Sequence, residues 1–221
     1  NNDIVELQDA ERREVVRILQ ELTAQVGARA DEILAMARVL GELDAVQAMA
    51  LSGALMLEHG GGTAELRLAM LCGLLHDLGE MYIDPRHGEA DADRNLDFQS
   101  YQHLVVHPHV GQLLITQLTN YPASLARAIA EHHERLDGSG YPHALLRDAV
   151  SPLGRLLAVT EATLGVLRGD RPDLSRASIS LRVVPGEFDL TWVGSIAAGA
   201  RNQSALEGKL ALSEVQDRLT R

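Results

Sequence analysis

Residues 132–142 read His-His-Glu-Arg-Leu-Asp-Gly-Ser-Gly-Tyr-Pro, and a His-Asp pair stands upstream at His76–Asp77. Adjacent imidazoles are an unusual use of side chains that are costly to bury. A neighbouring carboxylate adds a group able to bridge two cations. Neutral imidazole suits zinc, iron, nickel and manganese, and carboxylate suits harder ions. The combination points to a metal centre, with more than one ion, that handles a phosphate ester.

The chain has 221 residues, enough for one large domain or one domain with a helical extension. Hydrophobic residues make up 46% and aromatics 3%, so Leu, Ala, Val and Ile must fill the core. That composition suits helix-on-helix packing better than a β-sandwich. A net charge of −11 argues against duplex DNA or an anionic membrane as the main partner, because both need clustered Lys and Arg. It leaves room for a small anionic ligand, since bound cations invert the local field. The single cysteine, Cys72, rules out a disulfide within the chain and fits a reducing, cytoplasmic setting. No apolar run of the roughly 18 residues needed for a membrane span is found, and no signal peptide. The chain opens Asn1-Asn2-Asp3 with no Met, which fits a piece of a longer protein with a regulatory domain upstream.

Periodicity predicts helices over 3–26, 30–40 and 45–58, with Gly41 ending the second and Asp44 capping the third. Thr63 caps a helix apolar on most sides, which ends at His76-Asp77 and is expected to be central. Residues 81–97 are polar and read as a mobile loop. A helix follows over about 98–118, then one from Pro122 to about His133. Asp137 to Pro142 reads as a Gly-rich turn. Pro152 opens a helix through Leu167, and Gly169-Asp170-Arg171-Pro172 breaks it. Further helices are expected at 174–182, 187–200 and 208–220. With no period-2 run and no internal repeat, the expected class is all-α.

Of nine histidines, His76, His107, His132 and His133 fall where helices should meet, with Asp77 beside them. His107 is placed mid-helix, in His103-Leu-Val-Val-His107-Pro-His109. Glu161 lies in an otherwise apolar helix, where an acid is costly unless paired or metal-bound. A cation accounts for Glu161, His132 and Asp77 together. An ion pair to Arg127 or Arg135 is the alternative account of Glu161. His59, His87, His103, His109 and His143 read as ordinary core or surface residues.

The order His-Asp, His-Pro-x-x-Gly (His107 to Gly111), then His132 to Pro142 resembles the HD-GYP proteins, a branch of the HD metal-dependent phosphohydrolases. The likeness spans roughly residues 40–180. It implies a multi-helix bundle of HD-domain type, here an expected core at 41–183. An N-terminal helical extension at 1–40 and C-terminal helices at 184–221 would flank it. It also implies hydrolysis of cyclic di-GMP, by a metal-activated water, at a site of two or three divalent transition metals. For this chain two ions are expected, drawn from Fe, Mn, Ni or Zn.

The ligands carried over by position are His76, Asp77, His107, His132 and His133. Glu161 stands at the place of a family Asp, and Asp44 at the place of a family His. Asp77 would also orient the attacking water. By the same resemblance Arg171 contacts ligand phosphate. Tyr141 borders the nucleotide or docks a partner signalling domain, and Gly138, Gly140 and Pro142 shape the turn.

The chain departs from the pattern in three further places. Leu40 stands where an extra carboxylate is usual, Glu80 replaces a Lys, and Thr163-Leu164-Gly165 replaces Phe-Asp-Ala. Two functions therefore stand side by side. One is an active phosphodiesterase on a cyclic dinucleotide. The other is a catalytically impaired signalling module that binds nucleotide or a partner protein without turnover. A phosphohydrolase for another nucleotide is a third reading. The helices at 3–26 and 208–220 are candidates for pairing in a homodimer.

Overall fold

A computed structural model describes residues 30–82, 101–102, 104–169 and 172–203, with side chains from residue 41 onward. The expected helices at 3–26 and 208–220, and nearly all of the 81–97 loop, lie outside the described residues. The chain divides into two units, Asn1–Asp44 and Ala45–Arg221. The described part of the first unit is helical.

The helices are α1 (Ala30–Glu58), α2 (Thr63–Leu75), α3 (His107–Leu118), α4 (Ala123–Glu131), α5 (Pro152–Leu167), α6 (Leu174–Ser180) and α7 (190–203). Two 3-10 turns, Leu78–Tyr82 and Arg147–Ala149, join them. No strand occurs among the described residues. Asp137 and Leu146 form an isolated antiparallel bridge that closes the loop after α4. The protein is all-α, as expected.

Three expectations need correction. Gly41 does not end a helix, because α1 runs through it and through Asp44. Gly41 is not in the left-handed region a C-cap would need, and glycine inside a helix is a cost rather than a stop. The helix expected at 98–118 is broken: helical residues reach 104, a turn covers 105–106, and α3 begins at His107. Pro108 explains this, since it lacks an N–H and favours the first turn. His107 is thereby moved from mid-helix to a helix start.

Third, α2 is not the central element. Its buried positions are Ala69, Cys72 and Gly73, while Leu74 is exposed. The centre is α5, with eight buried residues. Leu156, Ala158 and Val159 of α5 pack with Leu55, Ala177, Phe188, Val193 and Ile196. Leu157 turns the other way, to Cys72, Ile115, Leu125 and Ile129. Burial of such side chains contributes about 1.5–3 kcal/mol each.

Small residues set the close approaches. A Cβ on Gly79 would collide with the His107 carbonyl and lie 2.8 Å from the Gly111 nitrogen, so only glycine lets the first 3-10 turn lie on α3. A Cβ on Gly111 would come within 2.9 Å of the Ile129 side chain, which sets how near α3 lies to α4.

Gly79→Ala is expected to lower stability by about 1–3 kcal/mol through overpacking, read as a fall in the urea midpoint. Gly41→Ala, where nothing lies within 4 Å of the added carbon, is expected to raise stability by about 0.5–1 kcal/mol in the same assay.

Candidate metal centre

A shared device aims three imidazoles. His76 Nδ1 donates to the Gly73 carbonyl at 2.8 Å, His107 Nδ1 to Leu104 at 2.7 Å, and His132 Nδ1 to Ile129 at 2.7 Å. In each case the acceptor is three residues back, in a helical segment that has just ended. The last carbonyls of a helix lack intrahelical partners, so each ring satisfies one. A carbonyl only accepts, so each Nδ1 carries the hydrogen. In the neutral ring this leaves Nε2 with a lone pair directed into the bundle, the tautomer that metal-binding histidines adopt; at His76, where two carboxylates face Nε2, that nitrogen carries a proton unless a cation takes its place. All three residues are buried, to 1%, 1% and 0% exposure.

Asp77, in the turn after α2, meets these rings with both oxygens. Oδ2 lies 3.0 Å from His76 Nε2, while Oδ1 lies 3.3 Å from His132 Nε2 and 3.6 Å from His107 Nε2. Glu161, from α5, places Oε2 at 3.1 Å from His76 Nε2. Ligand atoms of Asp77, His107, His132 and His133 all lie within 4.8 Å of one another.

The donor chemistry fits a divalent cation. His107 Nε2 and His132 Nε2 face each other at 3.1 Å. With both hydrogens held at Nδ1, two lone pairs oppose one another, and only a shared proton or a cation relieves the repulsion. Burial, helped by His132, pushes His107 down to about 4, so it does not keep an extra proton near neutral pH. Burial and the neighbouring His132 and His107 likewise hold His133 well below the usual imidazole range.

For His76 burial works against protonation. Asp77 and Glu161 outweigh it and hold the ring well above its ordinary value. Burial alone would raise Asp77, yet His76 and His132 bring it well below the carboxylate range. Glu161 is also held low, chiefly by its bond to His76 against the effect of burial.

The loop after α4 is built onto the histidines. The Tyr141 ring stacks on His133, with centroids 4.6 Å apart and planes at 21°, and Tyr141 N donates to the His133 carbonyl. Gly140 lies so close to the 133–135 backbone that a Cβ would strike the Arg135 nitrogen. Gly138 has φ +84°, a value natural only to glycine, and Tyr141–Pro142 is cis. Burial lifts the Tyr141 hydroxyl well above its usual pKa, so it stays protonated.

Of the residues singled out from sequence, His76, Asp77, His107, His132, His133 and Glu161 come together, with Tyr141 at their edge. Gly138, Gly140 and Pro142 shape the loop. Asp44 belongs to the first unit, and Arg171 lies outside the described residues. The ion-pair alternative for Glu161 misplaced the cation. Arg127 pairs with Glu131 and Arg135 with Glu187, while Arg168 Nη2 stands 3.7 Å from Glu161 Oε1.

Two supporting acids escaped sequence reasoning. Glu134, 1% exposed, accepts His143 N at 2.7 Å on one oxygen and Leu145 N at 2.8 Å on the other, which folds the 143–145 segment back onto the end of α4. Glu131 accepts Arg127 Nε and Ser151 N, each at 2.7 Å, and so ties the end of α4 to the start of α5. The available signal was the costly clustering of acids at Glu131 and Glu134 around the two histidines.

A family model described as HD domain matches residues 24–181. A cyclic di-GMP phosphodiesterase of Pseudomonas aeruginosa is 32% identical over 108 residues, covering 48% of this chain and 25% of that protein. The 3′3′-cGAMP-specific phosphodiesterase 3 of Vibrio cholerae is 28% identical over 99 residues, covering 45% of this chain and 21% of the relative. The chain thus spans about a quarter or less of these two relatives. Among solved structures, an HDG"Y"P protein from Bdellovibrio bacteriovorus superposes with TM-score 0.58 at 19% identity, over 71% of this chain and 51% of that one. At that identity the likeness speaks for the fold alone.

Glu134→Ala strands two loop amides and is expected to cost about 1–3 kcal/mol, read by urea unfolding. Glu134→Gln, which retains one acceptor oxygen, is expected to cost less in the same measurement.

Proposed function

The chain belongs to the HD domain family; from that premise we propose that it is of the HD-GYP type, a metal-dependent phosphodiesterase acting on a cyclic dinucleotide. One observation carries the reading. The two oxygens of Asp77 face different donor groups, Oδ1 toward His107 and His132, Oδ2 toward His76 beside Glu161. A carboxylate so placed suits a bridge between two ions.

His107, His132 and His133 would hold one ion and His76 and Glu161 a second, with Asp77 available to either. Asp44 is added as a ligand on the sequence resemblance. Fe, Mn, Ni and Zn all match this mixture of imidazole and carboxylate. Divalent ions held there supply Lewis acidity, easing deprotonation of a water and neutralising phosphate charge. The chain's own part is orientation and exclusion. Carbonyl-anchored rings keep their lone pairs inward, and Asp77 orients the attacking water toward phosphorus. The half-buried Tyr141–His133 stack lies beside the ligand cluster, where Tyr141 borders the nucleotide.

Arg171 is proposed as a phosphate contact on the same resemblance. So is the division into an extension at 1–40, a core at 41–183 and C-terminal helices at 184–221. Partner signalling domains, a homodimer and a cytoplasmic location belong to the same proposal. No described helix is long and apolar enough to cross a membrane.

Glu80 supports the second reading, a module that binds nucleotide without turnover. It sits in the 3-10 turn directly after Asp77, with its amide on the Asp77 carbonyl. Its charge, with those of Asp77 and Glu161, bears on Tyr141. At an effective dielectric near 20, an anion about 4 Å from a phosphate oxygen is unfavourable by about 4 kcal/mol. That is enough to slow turnover by roughly three powers of ten.

Cyclic di-GMP incubated with protein and Mn²⁺ or Fe²⁺, then separated by chromatography, is expected to yield linear dinucleotide or GMP. An unchanged dinucleotide would point to the binding module instead. Asp77→Asn is expected to abolish turnover and lower the metal content measured by elemental analysis. Glu80→Lys is expected to raise the rate by at least about tenfold, a change of 1.4 kcal/mol or more.

A further inference from the structure

Three of the four histidines in the ligand cluster are aimed by one kind of bond, from Nδ1 to a carbonyl three residues back. His133 is aimed in another way. Among the described residues no carbonyl accepts from either of its ring nitrogens. A ligand atom of that ring nonetheless lies within 4.8 Å of those of Asp77, His107 and His132. An imidazole without such a bond turns about two side-chain torsions, and an ion that binds it must first order it.

Aromatic contact supplies the order. Tyr141 lies face to face with the His133 ring, at 4.6 Å between centroids with planes at 21°. His107 meets the same ring edge-on, at 5.0 Å and 89°. Both arrangements are attractive ones for aromatic pairs.

Tyr141 holds a neighbour because it is itself held. Its N–H donates to the His133 carbonyl at 3.2 Å. Gly140, just before it, lies against the 133–135 backbone. Two residues after it, His143 N donates to the buried Glu134 carboxylate at 2.7 Å. The loop thus returns to the end of α4 on both sides of the tyrosine. Backbone contacts set its ring down on His133, and among the described residues no hydrogen bond engages its hydroxyl.

The two devices constrain different things. A carbonyl bond fixes both the plane of an imidazole and the nitrogen that keeps the hydrogen. A stack fixes the plane alone. A half-turn about Cβ–Cγ leaves that plane unchanged and exchanges each nitrogen with a carbon.

We propose that Tyr141 is a positioning residue for the metal centre: its ring, stacked on His133, fixes the plane of a ligand imidazole that no described carbonyl anchors. This rests on the two-ion reading of the cluster and gives Tyr141 a task besides bordering the nucleotide. Tyr141 acts through His133 and contributes no donor atom of its own.

The test is titration of chelator-stripped protein with Mn²⁺, with the free ion followed by electron paramagnetic resonance. Wild type is expected to bind two ions. Tyr141→Leu keeps apolar bulk and removes the flat face. It is expected to weaken one ion about tenfold, as loss of a partner behind a ligand does, and to leave the other within about twofold. Tyr141→Phe keeps the face, lacks the hydroxyl and binds both ions as wild type does. His133→Ala weakens the same ion, and adding Tyr141→Leu to it changes the Kd no further. Wild-type affinity in Tyr141→Leu overturns the proposal. So does Tyr141→Phe that binds as poorly as Tyr141→Leu, because the hydroxyl would then be the active part. A further loss from Tyr141→Leu in the His133→Ala background overturns it too, as does a wild type that binds no Mn²⁺. If Tyr141→Leu does not unfold cooperatively in urea, the Tyr141→Phe titration decides. Protein that shows the expected Mn²⁺ pattern but leaves cyclic di-GMP intact removes the phosphodiesterase reading and keeps the role of Tyr141.

Discussion

The centre depends on one repeated hydrogen bond, from an imidazole Nδ1 back to a carbonyl at the end of a helix. His76, His107 and His132 each make it three residues back, and each is buried. The bond does two things with one hydrogen. It satisfies a carbonyl that the helix leaves orphaned, and it selects the tautomer whose remaining nitrogen is a lone pair. Helix termination and ligand preparation are therefore the same event. Helices must stop at this place in the bundle for the ligands to point inward, which is why the cluster lies among helix ends.

The carboxylates complete what the rings begin. Asp77 follows His76 directly, so the turn after α2 carries it past the same helix end and its two oxygens serve different rings. Glu161 arrives by another route, from within α5, and its surroundings are the packed core of that helix. Glu131 and Glu134 touch none of this directly. They close the loop that bears the histidine pair, Glu131 onto the start of α5 and Glu134 onto the amides of His143 and Leu145.

Much of the design was legible from residue type and spacing. The clustering of His76, Asp77, His107, His132, His133 and Glu161 could be read because buried charge is costly and a shared cation accounts for all of them. The limits of α5 could be read from Pro152 and the Gly169–Pro172 break. What could not be read was mostly a matter of competing local signals. Gly41 looks like a stop, but glycine ends a helix only when its backbone turns left-handed. Pro108 looked compatible with a continuous helix, yet it restarts one and puts His107 at its first residue. α2 seemed central from its leucines, whereas its small residues Ala69, Cys72 and Gly73 make the close contact. The partner of Glu161 was sought among arginines near in the motif, and the helix repeat instead supplied Arg168.

The two packed clusters share one rod. Leu156 and Leu157 are neighbours in sequence but serve different faces of α5, one with Phe188 and Val193, the other with Ile115 and Ile129. Glu161 rides on that rod one turn further along. Its position is therefore inherited from two packed clusters joined through Leu153, and a volume change in either one bears on the same carboxylate. Tolerance to drift in the interior is narrowed by chemistry at the rim. Substitutions at residues that are not themselves ligands, such as Val193 or Ile115, are thereby tied to the spacing between acid and imidazole.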